Sequence, residues 1–201
     1  MGRGFDSLPS HHFIKLKVFV VVNSAAEAKK STITINAAII NDAASLSELC
    51  RETFIESFGH CYSEENLNAY LDSAYTEALQ KQEIEDPKVT LLLAYCNDEL
   101  AGFVKFGRNK LPVTPDSNDI VEIHRMYVLK KFQGNKIGEL LMLDALEAAN
   151  KQGIREVYLG VWQENPRAQK FYGRFGFEEF ACYHFNVGEQ TDRENIMRLI
   201  L

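Results

Sequence analysis

Hydrophobic positions along this chain switch between two periods. From Thr32 to Ile40, β-branched residues alternate with polar ones, the period-2 pattern of a half-buried strand. Asn41 or Asp42 can cap a helix over Ala43 to about Phe58, in which Leu46, Leu49, Phe54 and Phe58 recur at helical spacing. Ser63, with Glu65 and Asn66 behind it, opens a second helix that runs to about Glu83, and Pro87 breaks the pattern. Val89 to Tyr95 is a buried-type strand. Asn97 and Asp98 make a turn, and Leu100 to Phe106 is the hairpin partner. Arg108 to Asp119, with Pro112 and Pro115, is a surface loop. Ile120 to Val128 is the next strand, and Gly138 to Gln152 is a helix stopped by Gly153. Val157 to Trp162 is a strand. Pro166 begins a helix that reaches about Phe175. Phe177 to Val187 and Asn195 to Leu201 are two strands around the polar turn GEQTDRE.

The predicted order is β-α-α-β-β-β-α-β-α-β-β. Strands and helices mixed in this way mean an α+β or α/β sheet with helices on its faces. No internal repeat and no low-complexity segment interrupts it. The 201 residues suffice for one domain with a real core. A polar break at Lys29, Lys30 and Ser31 divides an N-terminal extension, residues 1–31, from a domain over 32–201. The extension reads as an extra strand, a loose arm, or upstream residues outside the functional domain.

Charge narrows the partners. The formal net charge is −6, which argues against a nucleic-acid partner, since phosphates require a basic footprint. Cys50, Cys61, Cys96 and Cys182 form no C-x-x-C pair, and no histidine stands at metal-ligand spacing from them. They read as reduced packing cysteines of a cytoplasmic protein, and no metal is expected. His11 and His12 have no carboxylate or cysteine companion and read as non-functional. No apolar run approaches the ~20 residues of a membrane span. Val18 to Val22 is short against the ~7–15 residues of a secretory h-region, so neither a membrane nor export is expected.

Three segments carry chemistry. The loop QGNKIG, Gln133 to Gly138, lies between a strand and a helix and aims backbone N–H groups and a helix N-terminus at one spot. That suits a phosphate or pyrophosphate, although many glycine-containing turns of this kind are only structural. In ENPRAQKFYGRFGF, Asn165 follows a strand and Tyr172 falls two helical turns later on the same face. Tyr172 can donate a proton to a leaving group, or it can simply pack the helix on the sheet with Phe171. Glu122 sits on the strand before the loop, facing solvent or a cleft. His124 shares its strand face, so the two can serve as a base and its orienter.

Taken together, the strand MYV, the loop QGNKIG, the helix GELLMLDAL and the series N-x-x-A-x-x-F-Y-x-x-x-G-F resemble the GCN5-related N-acetyltransferase (GNAT) family in order and spacing, over about Thr32 to Leu201. Within the family, TFIESF with AYLDSAY, EIHRMYV, LGVWQEN and GEQTD look most like the bacterial spermine/spermidine N-acetyltransferases. The resemblance implies the GNAT fold, a central, mostly antiparallel twisted sheet with helices on both faces. It implies acetyl-CoA as donor and transfer of the acetyl group to a primary amine, with a polyamine such as spermidine or spermine as the expected acceptor. The alternatives are acetylation of a protein lysine or N-terminal amine and, from another class, a non-catalytic acyl-CoA sensor.

The implied donor site is Met126, Tyr127 and Val128 along the pantetheine arm, Gln133, Gly134, Asn135, Lys136, Ile137 and Gly138 around the pyrophosphate, and Asn165 and Lys170 on the next helix. Lys136 stands where the family commonly has glycine, which a lysine can replace if its φ is negative. The partner is a small-molecule amine, with a homodimer left open. An amine of pKa near ~10 is almost all ammonium at neutral pH and must lose a proton before it attacks. Glu122, directly or through a water, is the expected base, Tyr172 the expected acid and His124 the reserve base. Glu56 and Asn66 are expected to join Glu122 in an acidic acceptor pocket, although both are ordinary solvated-helix residue types.

Overall fold

The computed structural model describes residues 17–22, 30–113, 117–187 and 189–201, so His11, His12 and Pro115 lie outside the described residues. The chain runs β1 (Lys17–Val22), β2 (Lys30–Ala37), α1 (Ala43–Phe58), α2 (Glu64–Ala74), α3 (Glu77–Glu85), β3 (Val89–Cys96), β4 (Glu99–Arg108), β5 (Ile120–Val128), α4 (Ile137–Lys151), β6 (Glu156–Trp162), α5 (Pro166–Gly173), β7 (Glu178–Val187) and β8 (Gln190–Ile200). The strands form one sheet of eight in the order β1-β2-β3-β4-β5-β6-β8-β7. Every neighbouring pair is antiparallel except β5 with β6. This is the sheet with helices on its faces expected from the pattern, and the mostly antiparallel one that the resemblance implied.

Alternation along the strands builds two cores. Ile33, Ile35, Leu92, Val104, Val121 and Ile123 bury one face beneath Ile137, Leu141, Met142 and Ala145 of α4. Leu91, Leu93 and Phe103 bury the other face against Leu46, Leu49, Phe54 and Leu71 of α1 and α2. Successive strand residues point to opposite faces, so one sheet serves both cores. Asn97 and Asp98 take φ 50° and 67°, the left-handed pair that a two-residue hairpin turn needs.

The structure corrects three boundaries, and in the extension it takes the extra-strand reading. The helix expected from Ser63 to Glu83 is two helices. Tyr75 leaves the helix at φ −131°, ψ 39°, with its ring fully buried. The Thr76 hydroxyl then caps α3 by accepting from Leu79 N at 3.2 Å. The first strand ends at Ala37, short of the expected Ile40. Lys17–Val22 of the N-terminal extension is a strand paired with β2, tied to α4 by the Lys17–Asp144 ion pair at 2.7 Å. β8 starts at Gln190, so most of the segment expected to be a turn is paired strand. All four cysteines are free thiols. Among the described residues no helix is long and apolar enough to cross a membrane.

Candidate active site

The site starts from an irregularity in β5. Ile123 pairs with Phe106 and Arg125 with Lys105, which leaves His124 without a partner in β4. This β-bulge adds one residue and shifts the alternation by one. Before it, Val121 and Ile123 face α4 while Glu122 and His124 face the other side. After it, Met126 and Val128 face α4, and Arg125 and Tyr127 face the side of Glu122. Beyond the Ile123–Leu159 pair, β5 and β6 part company, and β6 continues against β8 alone. The Tyr127 carbonyl lies against Gly102, and Leu129 N donates to Ala101 O at 2.9 Å. Alternation therefore turns the backbone groups of Met126 and Val128 toward the gap, where no described strand pairs with them.

A cavity of about 370 Å³ opens on that gap, walled by Tyr127 from β5, Gly160 and Trp162 from β6, and Tyr183 and Glu194 from the last hairpin. Its size is that of a small-molecule site. Aromatic rings of Phe54, Phe58, Tyr62, Tyr70 and Phe185 line it. Three carboxylates, Glu83, Glu122 and Glu194, and three cations, Lys105, Lys110 and Arg125, reach its wall.

Glu122 Oε2 accepts from Lys110 N at 2.7 Å. Burial pushes its pKa up, against the pull of the backbone N–H groups of Lys110 and Leu111. His124 Nε2 is 3.8 Å from that carboxylate but only 2.9 Å from Arg108 O. Burial lowers the His124 pKa to about 4, so the ring is neutral near pH 7 and donates Nε2–H to the carbonyl. The expected Glu122–His124 hydrogen bond is therefore not made. The two side chains share the cavity, and only Nδ1 of His124 is left to accept a proton.

Besides Glu83, sequence reasoning missed the carboxylate of Glu194. It falls in the segment read as a turn, yet it lies on β8 opposite Trp162 and Tyr183. Tyr183 Oη donates to Glu194 Oε2 at 2.5 Å. A Cβ on Gly160 would stand 2.5 Å from Tyr183 Oη and 2.6 Å from Glu194 Oε2, so glycine is what lets this pair lie against the gap. Burial, and then the charges of Asp192 and Glu122, push the Glu194 pKa up despite the Tyr183 hydrogen bond.

The loop and the two following helices complete the picture. Gly134 has φ 88° with open space where a Cβ would point. No side chain caps the N-terminus of α4, so its first N–H groups and its dipole face outward. Gln133 Nε2 donates to Val128 O at 3.2 Å, which fastens the loop to the strand, and Asn135 Nδ2 donates to Phe132 O at 3.0 Å within the turn. Lys136 contradicts the expectation of a negative φ: it is left-handed, at φ 60°, ψ 11°. The turn from loop to helix demands the conformation that glycine adopts freely. Asn165 Oδ1 accepts from Ala168 N at 3.0 Å, so its carbonyl serves the helix cap and its amide N–H groups are what remain for a ligand. Lys170 lies exposed on α5.

Tyr172 does not line the cavity. It stacks edge-on with Phe171 and Phe177. Burial and then the Glu194 charge push its phenol up to about 12. Glu56 and Asn66 do not reach the cavity either. Glu56 Oε2 accepts from Lys130 N at 2.8 Å, tying α1 to the turn after β5. Asn66 Oδ1 accepts from Glu189 N at 3.1 Å, tying α2 to the last hairpin. Both are spent on holding the walls in place.

An uncapped helix N-terminus, a glycine-opened loop and an unpaired strand edge in sequence fit a donor with a pyrophosphate and an amide-bearing arm. Comparison with known proteins agrees. The description "Acetyltransferase (GNAT) family" matches residues 46–177. An uncharacterized N-acetyltransferase of Lactobacillus delbrueckii subsp. lactis is 27% identical over 153 residues, 76% of this chain and 88% of that protein. The spermidine N(1)-acetyltransferase of Thermoplasma acidophilum is 28% identical over 153 residues, 73% of this chain and 89% of that protein. The crystal structure of PaiA N-acetyltransferase from Thermoplasma acidophilum, in complex with coenzyme A, superposes with a TM-score of 0.69 at 24% identity, covering 84% of this chain and 99% of that one.

Proposed function

The chain belongs to the acetyltransferase (GNAT) family and is an acetyl-CoA-dependent N-acetyltransferase, and from that premise we propose that it acetylates a primary amine bound in the cavity between β5 and β8. One observation carries the reading: two half-buried carboxylates, Glu122 and Glu194, face a small-molecule cavity beside the unpaired edge of β5.

Acetyl-CoA supplies the activated acetyl group. The chain's residues do the rest. The backbone groups of Met126 and Val128 hold the pantetheine arm as an added strand would be held, and Gln133 to Gly138 with the α4 N-terminus hold the pyrophosphate. Tyr127, Asn165 and Lys170 flank that path. The acceptor arrives as an ammonium and is neutralised before attack. Glu122 takes the proton, directly or through a water. Its pKa, raised by burial, makes it a stronger base than a solvated carboxylate. Tyr172 gives a proton to the departing thiolate. A phenol pushed up to about 12 still carries that proton over the whole physiological range. Each role is typically worth ~10²–10⁴-fold.

Glu122 and Glu194 support an ammonium acceptor, and the aromatic walls add cation–π contacts. The Thermoplasma relative named for spermidine makes a polyamine the first acceptor class to try. The test is thiol release from acetyl-CoA with spermidine, spermine, diamines, amino acids and short peptides. Rapid release with one small-amine class is the expected result. No release with any acceptor, from protein that binds CoA, would refute the reading.

A further inference from the structure

The cavity is not uniformly acidic. Its β6–β8 wall carries Glu194. The wall from α3, β4 and β5 carries Lys105 and Arg125, with Glu83 between them and Glu122 farther along β5. Lys105 Nζ lies 2.5 Å from Glu83 Oε1, while Arg125 Nη1 stays 3.6 Å from Glu83 Oε2, too far for a hydrogen bond. Arg125 Nη1 and Glu83 Oε2 are both buried with no hydrogen-bond partner. The guanidinium carbon lies over the Tyr75 ring, 4.6 Å from its centroid, which holds the group in place while its Nη1 stays without a hydrogen bond. A buried lysine and a half-buried arginine thus share one carboxylate, and a charge withdrawn from water with half a counter-ion is costly. Burial, followed by the charge of Arg125, lowers the Lys105 pKa to about 8, which agrees with an excess of positive charge around Glu83.

The geometry points to an acceptor that is an amino-carboxylate: its amine faces Glu122 and Glu194, and its carboxylate meets Arg125 and Lys105. This rests on the acetyl-transfer reading above and narrows its acceptor away from plain polyamines. An arginine fork suits a carboxylate, and its charge opposes the second ammonium of a diamine. Arg125 and Lys105 are then the residues that set acceptor specificity.

The test uses acceptor pairs that differ only by the carboxylate, lysine against cadaverine and ornithine against putrescine, with spermidine and a short peptide alongside. Thiol release from acetyl-CoA gives kcat/KM for each. Wild-type protein is expected to favour the amino acid of each pair by about tenfold or more, the size of a hydrogen-bonded charge pair. Arg125→Gln is expected to bring that ratio toward one, and Arg125→Lys to retain part of it. If Arg125→Gln does not fold, Lys105→Met serves the same purpose. Calorimetric titration of lysine and cadaverine into CoA-saturated wild-type protein needs no variant and is expected to show the same order. Equal or reversed preference, best turnover with spermidine, or turnover with the peptide alone overturns the amino-carboxylate and leaves acetyl transfer standing. No thiol release with any acceptor overturns both.

Discussion

Lys136 offers a measurement in which a single backbone angle fixes the sign. It precedes α4 at φ 60°, ψ 11°, exposed and with no side-chain cap. An L-residue in that region pays roughly 1–2 kcal/mol. Glycine pays nothing there, but its greater freedom in the unfolded chain costs about 0.4–1 kcal/mol on folding. The difference leaves Lys136→Gly more stable by about 0.8 kcal/mol. For a chain of this length, each kcal/mol moves Tm by about 2–4 °C, so the expected rise is about 2–3 °C. Lys136→Ala keeps the strained angle and is expected to stay within about 0.5 kcal/mol of wild type. Thermal unfolding of ligand-free protein by calorimetry reads both. Each variant also deletes one ammonium beside the α4 N-terminus. CoA affinity is therefore expected to fall about equally in the two, by up to about fivefold, as for one exposed charge facing a phosphate. A lower Tm for Lys136→Gly would refute the strain argument. Loss of CoA affinity in the alanine variant alone would refute the charge argument.

Tyr172→Phe is expected to lower kcat by about 10²–10⁴-fold with little change in the Kd for CoA measured by calorimetry, and an unchanged kcat would remove Tyr172 as the acid. Glu122 is raised by burial, so its basic form is lost as pH falls through a value above the ordinary carboxylate range. The acid limb of kcat/KM should lie there and vanish in Glu122→Gln. The same raised pKa has a sign for stability: folding favours the protonated form, so that contribution is lost as pH rises through the folded pKa. Glu122→Gln should therefore unfold at a higher temperature than wild type at pH 7 while losing activity, and a lower Tm would contradict this. Gly160→Ala forces a methyl group within 2.6 Å of the Tyr183–Glu194 pair, and urea unfolding should show a loss of about 1–3 kcal/mol.

Where a signal was local, it could be read from sequence. The Asn97–Asp98 turn, the β5 boundaries and α4 to within one residue follow from turn chemistry and period. Where a tertiary contact decided, it could not. The helical pattern runs on through Tyr75, but burial of its ring beneath Arg125 and the Thr76 cap end α2 there. Glu194 sits among turn-forming polar residues and becomes strand only because β6 and β7 flank it. Glu56 and Asn66 have the right charge or polarity for an amine, but a carboxylate oxygen of Glu56 accepts from Lys130 N and the amide oxygen of Asn66 from Glu189 N. Composition states which groups are available, whereas only the fold states which are already engaged.

The extra residue at His124 shows how far one such fact reaches. Without a bulge to absorb it, strict alternation through β5 would put Arg125 and Tyr127 on the α4 side, among Leu141 and Met142. With it, Glu122, His124, Arg125 and Tyr127 all face one cavity. The local bend also accompanies the end of pairing with β6 at Ile123–Leu159, which opens the Met126–Val128 edge. The donor edge and the acceptor wall thus share one cause. Deleting His124 would make the β4–β5 pairing regular while leaving Arg125 and Tyr127 on the cavity side, so the expected consequence is loss of the splay and with it of CoA binding. A deletion variant that still bound CoA with wild-type affinity would show that the splay has another origin.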